Sequence, residues 1–532
     1  MTIDAKNELK EIENVIGVKR NFRLFEESKG KVVLNLLKYF EAFARKNELL
    51  NSGSVSNLIS RINVSINWAY NNCEEQSFEV NNKIDENIFR KCQAVLNEAA
   101  SYKNFYDMLS LFSLNQNNIE INKENKKINI TLPKDDNILN SIAGRLIKIL
   151  NSSEISHDDY EFDISENTDI LSKISKSVKN NNLKLSKDKE IWDFFGKMTQ
   201  AQLKKDSILP DDWEIENFKI EEFKEFWKIL LIKSSIHKTA TLFLGNSDLN
   251  KLIMTYSSEE LYQLFLSKTN LSKTKIKNII DFMTYDNKLN GLELNRQPFI
   301  KLTDDLYVIS PTLVMDFEIE KNLIYLTRNK NVDCYNNILT YKKEEMIRSI
   351  KNKLDNKFSN LLFSFQNDLN SSLLKDLDMA LYDKNTKNLF ISNFSWSLPL
   401  KEISEIPFYK KELTKQTSDL EKILKYLVKN KQEVLKRLFG IDSKKEVKNI
   451  YGCVLSNEDV SSSDLNEYLS VIPEKKLLEL LNKNKGNLDL LIEEIKSLDF
   501  LPEKNKDYKI RNQKINYEGY KVGMPVIDAN NV

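Results

Sequence analysis

Apolar residues recur along the first hundred positions at the spacing of a helix. In Lys31–Leu50, the residues Val33, Leu36, Leu37, Phe40 and Phe43 fall on one face. Val55–Tyr70 and Glu86–Ala100 repeat the pattern with Trp68 and Leu96 turned inward, and the aromatic-rich stretch Ser101–Leu114 also reads as helix. The period then changes. Ile119 and Ile121, followed by Ile128 and Ile130, alternate with polar residues across a polar turn, which predicts a β-hairpin. Asp136 is placed to cap a helix with Ile138, Ile142, Leu146 and Ile149 on its face.

Residues 152–189 lose this periodicity. An acidic run, HDDYEFDISENTD, gives way to a basic, Asn-rich one, KSVKNNNLKLSKDK. The acidic run lacks the Gly and terminal Glu of a calcium loop, so the segment reads as a solvated linker. Helical spacing returns over 190–295. Glu216–His237 carries Phe218, Phe223, Phe226, Trp227, Leu230 and Leu231, a stripe suited to a packed core rather than to stacking bases. His237 is expected at the end of that helix, where its positive charge would suit the dipole. Ser272 is expected to cap Lys273–Tyr285. Phe299–Leu302 and Leu306–Ile309, joined by Thr303-Asp304-Asp305, read as two short strands, and Pro311 opens a further helix.

The remainder reads as helix Tyr341–Leu354, strand Leu361–Phe365, a hairpin, helix Asp419–Phe439, strand Val447–Leu455 and helix Glu474–Leu481. A last strand pair is expected around Lys514–Tyr520. The hairpin is the most informative stretch: DLDMALYDKNTKNLFISNFSWSLP, Asp376 to Pro399. Two apolar runs, Met379–Tyr382 and Leu389–Phe394, flank the turn-forming Asp383–Asn388. Asp376 and Asp378 lead the first strand on the same side of it, because strand side chains alternate with period two.

An acid leading one strand, with two polar residues two apart late in the next, resembles the PD-(D/E)xK nuclease superfamily. The order helix, strand, hairpin, helix, strand, helix resembles the core of the restriction-endonuclease fold. The resemblance covers the C-terminal part only. It implies a restriction-endonuclease-like α/β sandwich with a mixed sheet there; with the helical spacing of the N-terminal half ahead of it, the expected fold is α+β and predominantly helical. The expected segments are a helical domain with a small hairpin (1–151), an acidic/basic linker (152–189), a helical domain ending in a short hairpin (190–335) and the nuclease-like domain (336–532).

Carried over by position, the strand aspartate falls on Asp378, with Asp376 beside it as a second metal ligand. The helix glutamate falls on Glu344 or Glu345, with Glu345 preferred. The E-x-K positions fall on Asn393 and Ser395. Such sites use Mg²⁺ held by carboxylates, and a lysine beside the attacking water. A neutral amide and a hydroxyl replace two of these groups here, which implies a frame kept while the reactivity is lost. A deficit of several kcal/mol in the transition state is many orders of magnitude in rate.

Composition narrows the partners. Net charge is +1, from 79 cations and 78 anions, so no global basic field advertises a nucleic acid. A local basic face for nucleic acid is expected on the long helix, where Lys422, Lys425 and Lys429 share a side, although Glu421 and Glu433 dilute it. Cys73, Cys92, Cys334 and Cys453 form no C-x-x-C pair, which argues against structural zinc and fits reduced thiols in a cytoplasmic protein. His157 and His237 have no partner in the pattern. No signal peptide or membrane-length apolar run is read, and neither a P-loop nor a nucleophile elbow is present.

Three readings follow. The first is a degenerate nuclease-like protein that binds nucleic acid or a protein, of a kind found in bacterial defence or DNA-modification systems, with a protein partner expected on the helical N-terminal half. The second is an active Mg²⁺-dependent endonuclease whose catalytic group has moved, with Lys401, Glu402 and Glu405 nearest. The third is a helical interaction scaffold with no nucleic-acid role.

Overall fold

The computed structural model describes residues 22–49, 55–74, 86–112, 119–122, 124–132, 134–158, 167–179, 188–204, 207–244, 251–288, 294–354, 357–365, 377–400, 402–440, 447–458, 469–517 and 519–529. The fold is α+β with helices predominating. The chain divides into two units, each assembled from segments distant in sequence. The described parts of Lys19–Asn104 and Glu161–Tyr335 form one, and those of Phe105–Tyr160 and Asn336–Val532 belong to the other.

The first unit is mostly helical. Helices Lys29–Leu49 and Val55–Asn72 bury the expected face, including Val33, Leu36, Leu37, Phe40 and Trp68. Ser101–Phe112 continues the preceding helix rather than starting a new one, giving Glu86–Phe112, and residues 113–114 of the expected stretch lie outside the described residues. At the centre lies helix Ile220–Thr241, buried on nearly every side. Its aromatic stripe is core: Trp227 is fully buried and stacks on Phe317 with ring centroids 3.9 Å apart, and Phe226 stacks on Phe265 at 3.8 Å.

Local chemistry adjusts several expected boundaries. The helix starts at Ile220, not Glu216, because Glu214–Ile215 pairs with Phe218–Lys219 in a small hairpin that holds Glu216 at φ 53°. Ser272 does cap its helix, its Oγ accepting from Lys275 N–H at 3.3 Å, but that helix stops at Met283. The two short strands Phe299–Thr303 and Leu306–Ile309 gain a third, Met254–Ser257. Within the expected linker, Thr168–Lys179 is a helix, with Ile170, Ile174 and Val178 buried at steps of four. Its polar neighbours masked that stripe.

His237 is buried one turn before the helix ends. Burial, aided by the charge of Lys233, pushes its imidazole down to about 4. It is therefore neutral at pH 7, and the expected charge–dipole role does not hold. The unfolded chain takes up this proton near pH 6.5 and the folded chain only near 4, so stability is full above 6.5 and falls as pH drops through that window. Between pH 7 and 5, wild type should lose about 2 kcal/mol more than His237→Gln in urea unfolding. Equal losses would show that the imidazole does not titrate out of phase with folding.

In the second unit, the hairpin Ile119–Asn122 with Lys127–Ile130 finds its sheet neighbour at the far end of the chain. Tyr520–Ala529 runs parallel to Lys127–Ile130, with Val522 opposite Ile128, and Tyr508–Tyr517 forms the edge opposite Ile119–Asn122. Alternation reveals a strand but not its partner. The helix that follows begins at Asp136 and is capped one residue earlier than expected, Asp135 Oδ1 accepting from Asn137 N–H at 2.8 Å.

The rest of this unit is a five-stranded mixed sheet flanked by helices. In chain order its elements are α1 (Val332–Leu354, from Asn336 on), β1 (Leu361–Phe365), β2 (Met379–Asp383), β3 (Asn388–Ser395), α2 (Ile406–Lys429), α3 (Lys431–Phe439), β4 (Asn449–Ser456), β5 (Ser470–Pro473), α4 (Glu474–Lys483) and α5 (Leu488–Ser497). The strand order is β5-β4-β3-β2-β1. β3 runs parallel to β4, and β4 to β5, while β2 is antiparallel to both β1 and β3.

Helix α2 packs on the face that carries Ile391. It approaches so closely that a side chain on Gly452, opposite Ile391, would place its Cβ 3.1 Å from Leu424 Cδ1. Helix α5 covers the other face. Asp383, fully buried at the β2–β3 turn, accepts from Asn385 N–H at 2.9 Å, Thr386 Oγ1 at 3.0 Å, Asn360 Nδ2 at 3.2 Å and Leu488 N–H at 3.3 Å. One carboxylate thus fixes the turn and docks the start of α5. β5 and α5 were not read from the sequence; β5 is four residues long and too short to show a period.

Candidate functional site

Polar side chains collect at the carboxyl ends of β3 and β4, the edge where open α/β sheets place their ligands. Asp378 stands one residue before β2, beside the end of β3. The β2–β3 register pairs Ser392 with Met379, so one further step sets Asn393 opposite Asp378 on the same face. Phe394 N–H donates to Asp378 Oδ2 at 2.7 Å. The same oxygen lies 2.9 Å from Lys343 Nζ on α1.

Asp378 is fully buried, whereas the Lys343 side chain is a quarter exposed. A carboxylate out of water needs a compensating charge and donors for its lone pairs. The ammonium and the strand N–H supply both to one oxygen. Opposite, Asn393 and Ser395 are buried, and among the described residues Asn393 Oδ1 and Ser397 Oγ have no hydrogen-bond partner.

The rim is stapled from the β4 side. Asn457 donates from Nδ2 to the Ser397 carbonyl at 2.9 Å and accepts from Ser397 N–H at 2.8 Å. Ser456 Oγ accepts from Glu458 N–H at 3.1 Å and lies 3.3 Å from the Tyr409 hydroxyl in the first turn of α2. The amino end of α2 is thereby held on the carboxyl end of β4.

The other expected residues are placed as follows. Glu345 is exposed and pairs with Lys342, not with Asp378. Residues two apart on a helix point about 200° apart, so the side of α1 turned to Asp378 carries Lys343 instead. Asp376 and Lys401 lie outside the described residues. Glu402 and Glu405 build the turn before α2, with Glu405 Oε2 accepting from Glu402 N–H at 3.3 Å. Lys422 and Lys425 are exposed on α2 and pair with Asp419 at 2.8 Å and Glu421 at 2.6 Å.

Lys343 was missed, yet its position carried a signal. It falls in step with Ile347, Ile350 and Leu354, all buried, so a lysine interrupts the inward stripe of its helix.

Mg²⁺ takes hard and mostly anionic oxygens in an octahedron. Here Asp378 faces a neutral amide and a hydroxyl, and the Lys343 ammonium already stands at its Oδ2. Among the described residues no group of three or more His, Cys, Asp or Glu is arranged to hold a metal ion. The residues at this rim do not fit the metal. Elsewhere, buried carboxylates serve as staples. Glu41 accepts from Thr312 N–H at 3.0 Å and Thr312 Oγ1 at 2.8 Å, and Glu320 from Ile208 N–H at 2.6 Å and Leu209 N–H at 2.7 Å.

Comparison of the chain with protein families, with curated proteins and with solved structures finds no match. Among the described residues no helix is long and apolar enough to cross a membrane.

Proposed function

We propose that the sheet unit is a nuclease-like frame that has given up metal-dependent cleavage and serves to bind. The observation that carries this is the Lys343–Asp378 pair. An ammonium from α1 stands 2.9 Å from Oδ2 of the strand aspartate and neutralises it, so the buried carboxylate has its counter-charge without a divalent cation. Asn393 and Ser395, at the positions of the E-x-K pair, supply neither the second carboxylate nor the lysine. The mixed sheet with helices on both faces, and the succession from α1 to α4, support the resemblance to the restriction-endonuclease core. The place of such a chain in a bacterial defence or DNA-modification system follows from that resemblance alone.

The same pair favours a second reading in one respect. A lysine beside the strand aspartate, supplied from another element, is what a displaced catalytic lysine would look like. Burial weighs against it, because Asp378 is closed to solvent and its Oδ2 is doubly engaged. A metal and its water would have to displace both partners. Three cysteines, Cys73, Cys92 and Cys453, are buried, and burial pushes each thiol upward, away from the reactive thiolate.

The test is a cleavage assay on plasmid, single-stranded DNA and RNA in Mg²⁺ and in Mn²⁺. Wild type and Asp378→Asn should be equally inactive. Cleavage by wild type that Asp378→Asn abolishes would overturn the proposal.

A further inference from the structure

Helix α2 begins thirteen residues before the start expected at Asp419, because Pro407 opens it in the first turn. The longer helix brings Lys411 and Lys415 into line with Lys422, Lys425 and Lys429, and all five are exposed. At 100° per residue they lie within an arc of about 80°. Asp419 and Glu421 fall on opposite shoulders, about 40° outside it, and Glu412 falls farther out. Asp419 and Glu421 therefore flank the row rather than interrupt it, each paired with one of its lysines, Lys422 and Lys425. Lys411, Lys415 and Lys429 pair with no carboxylate among the described residues.

We infer that this row is a track for the backbone of a nucleic-acid duplex. It deepens the proposed function, on which it rests, by naming what the frame holds. The row runs roughly 27 Å, eighteen residues at 1.5 Å each. A duplex presents one phosphate charge per about 1.7 Å of axis, so several lysines can be neutralised together. The track starts beside the rim, since Tyr409, two residues before Lys411, is the residue held at Ser456. No run of aromatic side chains accompanies the lysines, as single-strand binders use for stacking. The contact is therefore with phosphate and is indifferent to sequence.

The experiment measures binding of the full chain to a fluorescent duplex of about 20 base pairs at about 50 and 200 mM salt, without divalent metal. Neutralising three to five phosphates predicts a fall of roughly fifty- to five-hundredfold between the two salts. The variant with Gln at 411, 415, 422, 425 and 429 should bind at least tenfold more weakly at low salt and with a flatter salt response. A control with Gln at the exposed Lys127, Lys504, Lys509, Lys514 and Lys521 removes the same charge elsewhere and should bind as wild type does. Equal loss in the control, stronger binding to the single strand, or preference for phosphatidylserine vesicles over the duplex would overturn the track. Absence of binding, with no cleavage in Mg²⁺, defeats the track alone. Cleavage in Mg²⁺ with binding intact defeats the proposed function and leaves the track standing.

Discussion

Lys343→Met is expected to lower the unfolding free energy by about 3 kcal/mol, the low end of the cost of breaking a buried ion pair. The low end applies because the lysine keeps a quarter of its side chain in water while Asp378 keeps none. Most of the loss is the penalty on the stranded carboxylate, not the worth of the pair. Removing the carboxylate as well should therefore recover stability. Lys343→Met combined with Asp378→Asn should be more stable than Lys343→Met alone, with a coupling of about 2 kcal/mol or more in the double-mutant cycle. Additive effects in urea unfolding would mean that the two residues do not act as a pair.

The second large effect is expected from Asn393→Glu. The register places this side chain opposite Asp378, at a position 1% exposed. A second carboxylate there would share one ammonium with the first. The change should cost about 3 kcal/mol or more at neutral pH. The penalty should shrink as pH falls, because a like charge raises the pKa of one carboxyl and lets it take up a proton. Asn393→Gln, equal in bulk and uncharged, separates crowding from charge and should be the milder change. A pH-independent cost, equal for Glu and Gln, would show that residue 393 does not face Asp378.

Much of the sheet unit was legible because its signals are local. The β2–β3 hairpin announces itself by two alternating runs about a polar turn, and Asn393 and Ser395 are named by counting along it. Strands β1 and β4 and the later part of helix α1 follow from spacing in the same way, whereas α1 begins at Val332, nine residues before the expected Tyr341. What the sequence hid depends on distance. Lys343 looks like one of four consecutive charged residues, KKEE, until the helix phase sets it among Ile347, Ile350 and Leu354. The start of α2 was missed because Lys410 and Thr417, both buried, interrupt its apolar stripe. That stripe is nevertheless kept by Tyr409, Leu413 and Leu420, which are buried. With the start misplaced, the lysine row lost Lys411 and Lys415 and looked diluted. The strand partner of the 119–130 hairpin lies at residues 520–529, and no pattern in either segment states the pairing.

Substitution of an internal ammonium for a divalent cation is tested most directly by the thermal midpoint of the wild-type chain as Mg²⁺ or Mn²⁺ is raised to millimolar levels. A ligand that binds the folded state alone raises the midpoint by mass action. The midpoint should stay where it is, in both wild type and Asp378→Asn. A rise in wild type that Asp378→Asn abolishes would mean that the aspartate holds a metal in spite of Lys343.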